Sequence, residues 1–212
     1  MADALSLLPA PCVLPRLVRR GDLPPGEWVG MQLDGVLVAL TDDVAVTTER
    51  PPEPGDRAQA LAPALPRHGV LGRDAAAWVH AGGRAPARAC VLVPVGVRRP
   101  DARPDRASAE TVFAQGDVVV VAGVPVTSPV RTGADVARWV EGAAAVERLV
   151  ALASCGVDLQ EVRARLAAMT GRRHVRRAFG ALEDASERVA SLGVARGEPQ
   201  RSASSGRAPV MR

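Results

Sequence analysis

DVVVVAGVPVTSPVRTGADVAR, residues 117–138, decides the fold class. The four valines at 118–121 read as an apolar strand, Gly123 as a turn, and residues 124–127 as a second short strand. Ser128 then takes the position of a helix N-cap, with Pro129 at the first helical position. A serine oxygen there accepts from an unpaired amide, and proline forfeits no hydrogen bond. Strand, turn, strand and capped helix give architecture, and no chemistry.

Working outward, residues 90–97 predict another strand, and 58–65 and 73–81 two short helices, so 57–138 reads as α/β. The polar run RRPDARPDRASAE at 98–110 predicts a mobile loop. Downstream the pattern is helical, with 129–140 and 143–154 forming a pair hinged near Gly142. In 158–169, Asp158 caps and Glu161 completes a capping-box-like arrangement, while Leu159, Val162, Leu166 and Met169 recur at helical spacing. A last helix over 172–182 buries Val175, Phe179 and Leu182 on one side. Upstream, Pro9, Pro11 and Pro15 interrupt the short helices of residues 1–23. Residues 28–33 and 36–40 flank Asp34-Gly35, a two-residue hairpin signal, and 44–48 follows as a third strand after Asp42-Asp43. ERPPEPGD at 49–56 is a proline-rich connector. The expected fold is α+β: a small N-terminal helix-plus-hairpin, winged-helix-like unit over 1–56, an α/β and helical body over 57–185, and a disordered basic tail over 186–212.

Composition bounds the function. Of 212 residues, 47% are hydrophobic and only 2% aromatic, so the core must be built from Leu, Val and Ala. All 27 basic residues are Arg, while Ile, Asn and Tyr are absent, the codon signature of a GC-rich genome. The placement of arginine therefore says more than its total. From Arg163 onward eleven Arg stand against four acidic residues (net +7), and residues 1–162 hold sixteen against nineteen (net −3). A negatively charged partner is expected at the C-terminal quarter. Cys12, Cys90 and Cys155 are odd in number and lack a C-x-x-C pair, as suits a reducing cytoplasm. In MADALSLLPAPCVLPRLVRR the arginines follow the apolar part, the wrong order for a signal peptide. No apolar run approaches the ~20 residues that span a bilayer. A soluble, cytoplasmic protein without a membrane partner is expected.

The strongest chemical candidate is GRRHVRR at 171–177. On a continuous helix Arg172 and Arg176, and Arg173 and Arg177, are i,i+4 neighbours, placing four guanidiniums on one face beside His174. Arg163 and Arg165 precede them with no acidic residue between. Their mutual repulsion is relieved by an anion, and duplex DNA offers a dense line of phosphates. Two other readings stand beside this one: a solvated basic face, or ion pairs with acidic residues of the N-terminal half.

Four segments also resemble, in order, those of actinobacterial proteins related to AbiEi, the antitoxin family of type IV toxin–antitoxin systems. Residues 117–138 resemble the family's GLPVTSPxRTxxDLAR. VLGRDAAAWVHAGG (70–83) is similar to its LSHxTAAxLHGL helix, and ACVLVPVGVRR (89–99) to its VHVTVPxGRR strand. DLQEVRARLAAMTGRRHVRRAFGALEDA (158–185) is similar to its LRxxLAxxxGRRGVRRARRALxLAD helices. The resemblance implies a transcriptional regulator that represses its own operon and opposes a nucleotidyltransferase-like toxin. Duplex DNA would be bound through Arg163, Arg165, Arg172, Arg173, His174, Arg176 and Arg177. This chain departs from the pattern at its N-terminus, where residues 1–60 hold five Arg and nine acidic residues, the wrong sign for a DNA reader. Many relatives continue into a nuclease domain similar to very-short-patch-repair endonucleases, whose strands and acidic residues are not found here, so nuclease catalysis is not expected. The alternative is a non-catalytic protein-interaction module, a remnant of such a nuclease-fused relative.

Other sites read as structural. His80, Ser128 and Asp135 can be composed into a triad, but there is no G-x-S-x-G elbow. Ser128 already serves as a cap, and Asp135 is expected to pair with Arg131 or Arg138. No Cys/His/Asp cluster has metal-ligand spacing, and no glycine-rich phosphate loop is present, so neither metal nor cofactor is expected. Trp78 and Trp139 are expected in the core.

Overall fold

The computed structural model describes residues 14–169 and 171–197. It is α+β, with seven helices and two sheets among those residues. The N-terminal unit has strands β1 (Leu17–Arg19), β2 (Leu37–Thr41) and β3 (Val44–Thr47) in the antiparallel order β1-β3-β2. Helix α1 (Pro25–Leu33) lies between β1 and β2 in sequence. The turn at Asp42-Asp43 is where the sequence places it, but residues 28–33 are helix, not strand. Pro25 at the first helical turn and Glu27 behind it start α1. Asp34-Gly35 ends it: Gly35 has φ +70, its amide donates to Gln32 O, and the Val36 amide donates to Met31 O. These are the paired bonds of a Schellman cap. An Asp-Gly pair serves a hairpin or a helix end because both demand a residue at positive φ. Strand β1 likewise replaces helix at the end of residues 1–23, held by Val46 and Ala45 of β3. Residues 1–13, with Pro9 and Pro11, lie outside the described residues.

Helix α2 (Pro54–Leu61) begins inside the proline-rich connector, where proline suits a first turn. Asp56 on that turn accepts from Arg16 and Arg50, and Val44 of β3 shares a core with Ala58 and Leu61 of α2. The division at residue 56 thus falls within a helix that touches both sides.

The body is built on β4 (Val70–Leu71), β5 (Ala89–Pro94), β6 (Arg106–Thr111), β7 (Val118–Val121) and β8 (Val124–Thr127), in the order β6-β5-β4-β8-β7. Pairs β4–β8 and β5–β6 are parallel, and β4–β5 and β7–β8 antiparallel. Residues 118–121 and 124–127 are strands as read, and Val120 is exposed because β7 is an edge. Strand β6 is a correction, since part of the expected mobile loop is ordered. RASAET has little strand propensity, but it pairs with β5 along six residues. Buried Arg106 anchors it by donating to Ala64 O and Asp101 O.

Helix α3 (Arg73–Ala81) lies behind this sheet with Ala75, Ala76, Trp78 and Val79 buried toward it and α2. Its Ala77 faces the other way, into the core of α4 (Pro129–Trp139), α5 (Ala143–Ser154), α6 (Leu159–Ala167) and α7 (Val175–Gly197). Alanine suits a helix packed on both flanks, because small side chains let neighbours close in. Gly133 does the same for α4 and α6: a Cβ there would sit 2.8 Å from Val162. Helices α3 and α5 match their predicted spans. Asp158 caps α6 by accepting from the Gln160 amide, without a box to Glu161. Ser128 holds the N-cap position of α4 but makes no side-chain cap bond. The hydroxyl nearby that is used belongs to Thr132, which bonds Thr127. Helix α7 continues through 186–197, where a structureless tail was expected, while residues 198–212 lie outside the described residues.

Candidate nucleic-acid interface

Helix α4 carries charge through an apolar neighbourhood. Arg131, Asp135 and Arg138 recur at i,i+4 and i,i+3 spacing, and all three are buried. Arg131 Nε donates to Asp135 at 2.8 Å, its Nη1 to Asp117 at 2.6 Å, and its Nη2 to Thr111 Oγ1 at 2.8 Å. Asp117 closes the turn before β7, its amide donating to Ala114 O. It also accepts from the Ala114 amide at 2.8 Å and, with both oxygens, from Arg165 of α6 at 2.7 Å. Two carboxylates therefore tie the sheet edge, α4 and α6 together.

Burial pushes the Asp117 carboxyl upward, but the Ala114 amide and the Arg131 and Arg165 guanidiniums outweigh it and hold the group below the usual range. Burial wins at Asp135, whose carboxyl stands above that range despite Arg131, Arg138 and Arg73. Burial lowers Arg138, Asp135 raises it, and the like charges of Arg131, Arg172 and Arg73 lower it further. Positive charge is in excess around Arg138.

The Asp117 shift gives a pH dependence. An unfolded aspartate titrates near ~3.9; with a lower folded value, the ion pairs contribute fully above that pH and fade as pH falls through the folded value. Thermal melts are expected to show Asp117→Asn less stable than wild type at neutral pH, with the gap narrowing in acid. A gap independent of pH would contradict the assignment.

Beside this network Trp139 gathers cations. Arg73 Cζ lies 4.4 Å and Arg138 Cζ 5.3 Å from its ring centroid, and the His174 ring meets it edge-on at 5.0 Å. Trp139 is half-buried among guanidiniums, whereas Trp78 lies in the core as expected, 2% exposed.

GRRHVRR is not a single helix face. Gly171 (φ +83) ends the α6 segment, and Arg172, Arg173 and His174 (φ +66) form the turn into α7, which begins at Val175. The i,i+4 pairing of Arg172 with Arg176 and of Arg173 with Arg177 is therefore lost, because positive φ at two positions breaks the helical path. The residues are nonetheless close in sequence on an exposed corner. Arg172, Arg173, His174 and Arg176 are exposed, and none of the three arginines has an acidic partner among the described residues. Arg163 pairs with Glu183 at 3.2 Å and Arg177 with Glu141 at 2.9 Å, both in solvent. Arg165 is committed to Asp117, an acidic residue just beyond the N-terminal half.

No protein-family model matches the chain, and no curated protein matches it. Among solved structures it is similar to the RV2827C protein from Mycobacterium tuberculosis. Identity is 15% and the TM-score 0.43, over 87% of this chain and 78% of that one.

His80 donates through Nε2 to Thr127 O at 2.8 Å, and burial lowers its pKa. Against a main-chain carbonyl the nitrogen must carry the proton, so Nε2 cannot act as a base toward Ser128. Asp135 pairs with Arg131 and Arg138, as its spacing suggests. Cys90 is buried enough to push its thiol to about 11. Among the described residues no group of three or more His, Cys, Asp or Glu could hold a metal, and no helix is long and apolar enough to cross a membrane. Sequence reasoning missed Asp117, Arg73 and the cationic setting of Trp139. Asp117 stands fourteen positions before Arg131, with β7 and β8 between them, so no helical spacing linked the two.

Proposed function

We propose that the protein is a DNA-binding regulator similar to AbiEi-type antitoxins, docking duplex backbone on the α6–α7 corner. The observation that supports this best is the exposed, unpartnered set Arg172, Arg173 and Arg176. Arg163 and Arg177 join them: solvent-exposed ion pairs are worth about 0.2–1 kcal/mol, so their carboxylates yield readily to phosphates. Arg165 plays a supporting part by holding α6 to Asp117. In this reading the protein acts in the cytoplasm without catalytic activity, and its α/β body holds a nucleotidyltransferase-like toxin.

A gel shift with duplex from the protein's own upstream region, run across a salt series, tests the reading. Each phosphate contact contributes about 0.9 to the log–log slope, so a variant with Arg172, Arg173 and Arg176 changed to Ala should bind with a slope shallower by about 3. An unchanged slope in a folded variant would sink the proposal. The alternative, a non-catalytic protein-interaction module, is favoured by a separate feature: α1, the residue before β2 and β2 itself expose Val29, Leu33, Val36 and Val38.

A further inference from the structure

We propose that the cavity walled by Trp139 is a binding site for a terminal phosphate, the dianionic group of inorganic phosphate or of a nucleotide. The cavity measures about 200 Å³ and is lined by Arg73, Arg138 and Arg172, with Trp139, Asp135 and Glu110. Arg73 is the informative residue. It starts α3 with φ +52, a backbone conformation that non-glycine residues adopt at a cost and that concentrates at binding sites. Its guanidinium stacks on Trp139, its Nε is buried, and that nitrogen has no acceptor from the protein among the described residues. A stacked, fixed guanidinium with free donors is poised for an oxyanion. His174, also at positive φ, braces the same tryptophan edge-on.

Charge decides which anion. A second depression of about 100 Å³, lined by Arg131, Arg138, Arg165 and Arg172, adjoins the first across Arg138 and Arg172. The five guanidiniums Arg73, Arg131, Arg138, Arg165 and Arg172 face Asp117, Asp135 and Glu110, and Glu110 at the rim is shared with Arg99 at 3.7 Å. Two positive charges are left over with every carboxylate counted. A monoester or free phosphate supplies two negative charges, whereas a carboxylate or a phosphodiester supplies one. Burial and then the like charges of Arg131, Arg172 and Arg73 lower the pKa of Arg138, and the same ligand offsets those charges.

The test uses the indole N–H signals of the three tryptophans, with Trp139 assigned by Trp139→Phe. Inorganic phosphate titrated at constant ionic strength should shift the Trp139 signal saturably, and chloride should not. Arg73→Gln and Arg172→Gln should each weaken phosphate binding about tenfold or more, while Arg176→Gln, outside the cavity, should not. Arg172 lies on an exposed turn, so its variant reports even if Arg73→Gln fails to fold. Tighter binding of a nucleoside 5′-monophosphate would identify a nucleotide as the source, and equal binding would identify free phosphate. No saturable shift, or the same affinity in both lining variants, overturns the site. Duplex with 5′-hydroxyl ends, titrated into the same samples, tests the backbone-docking proposal separately. Phosphate binding without duplex binding would retire that proposal and leave this one standing.

Discussion

Arg131→Met is expected to destabilise the protein by about 3–5 kcal/mol, because it leaves two carboxylates without their shared cation. The Arg131 side chain is 4% exposed and those of Asp117 and Asp135 6% and 3%. Water cannot replace what the guanidinium donates. Arg165 still answers Asp117, but Asp135 keeps only Arg138 at 3.7 Å. Thr111 Oγ1 and Val112 O lose a donor as well. Urea unfolding should show the loss in the midpoint with little change in slope. Adding Asp135→Asn to Arg131→Met should recover part of it, since the second change removes the stranded charge. A loss below about 1 kcal/mol would place the pair in the class of surface bridges and contradict its burial.

Trp78→Ala is expected to cost a similar amount, about 3–5 kcal/mol. Trp78 fills the space between α3, α2 and the sheet, and its Nε1 donates to Gly83 O at 3.1 Å. Alanine there opens a cavity among residues already packed close, and frees the turn after α3. Trp139→Ala should cost markedly less, because that ring is half-buried and lines a cavity instead of filling either apolar core. Chemical denaturation of the two variants side by side checks the contrast. Equal losses would mean that Trp139 belongs to the core after all.

The sequence carried more of the body than of its N-terminal unit. Residues 73–81, 118–121, 124–127 and 143–154 were legible because periodicity, turn residues and helix starts all agreed. Residues 28–33 were misread because Asp-Gly serves two kinds of turn, and β6 because an Ala/Ser/Glu strand is held by its partner and by Arg106 rather than by its own preference. The arginine corner was legible as charge but not as geometry: nothing in GRRHVRR states that His174 takes positive φ. The Trp139 cavity was hidden for another reason. Arg73, Arg138 and Arg172 are far apart in the chain, and only packing of α3, α4 and the α6–α7 turn brings them to one ring.

Helix α3 has a consequence for how this molecule can open. Its alanines serve as a party wall, with Ala75 and Ala76 in one core and Ala77 in the other. Neither layer can withdraw without stripping that wall of half its contacts. Fraying is therefore confined to the ends and edges, such as β7 and the far turns of α7, while the main-chain amides of α3 exchange with solvent only when both layers come apart together.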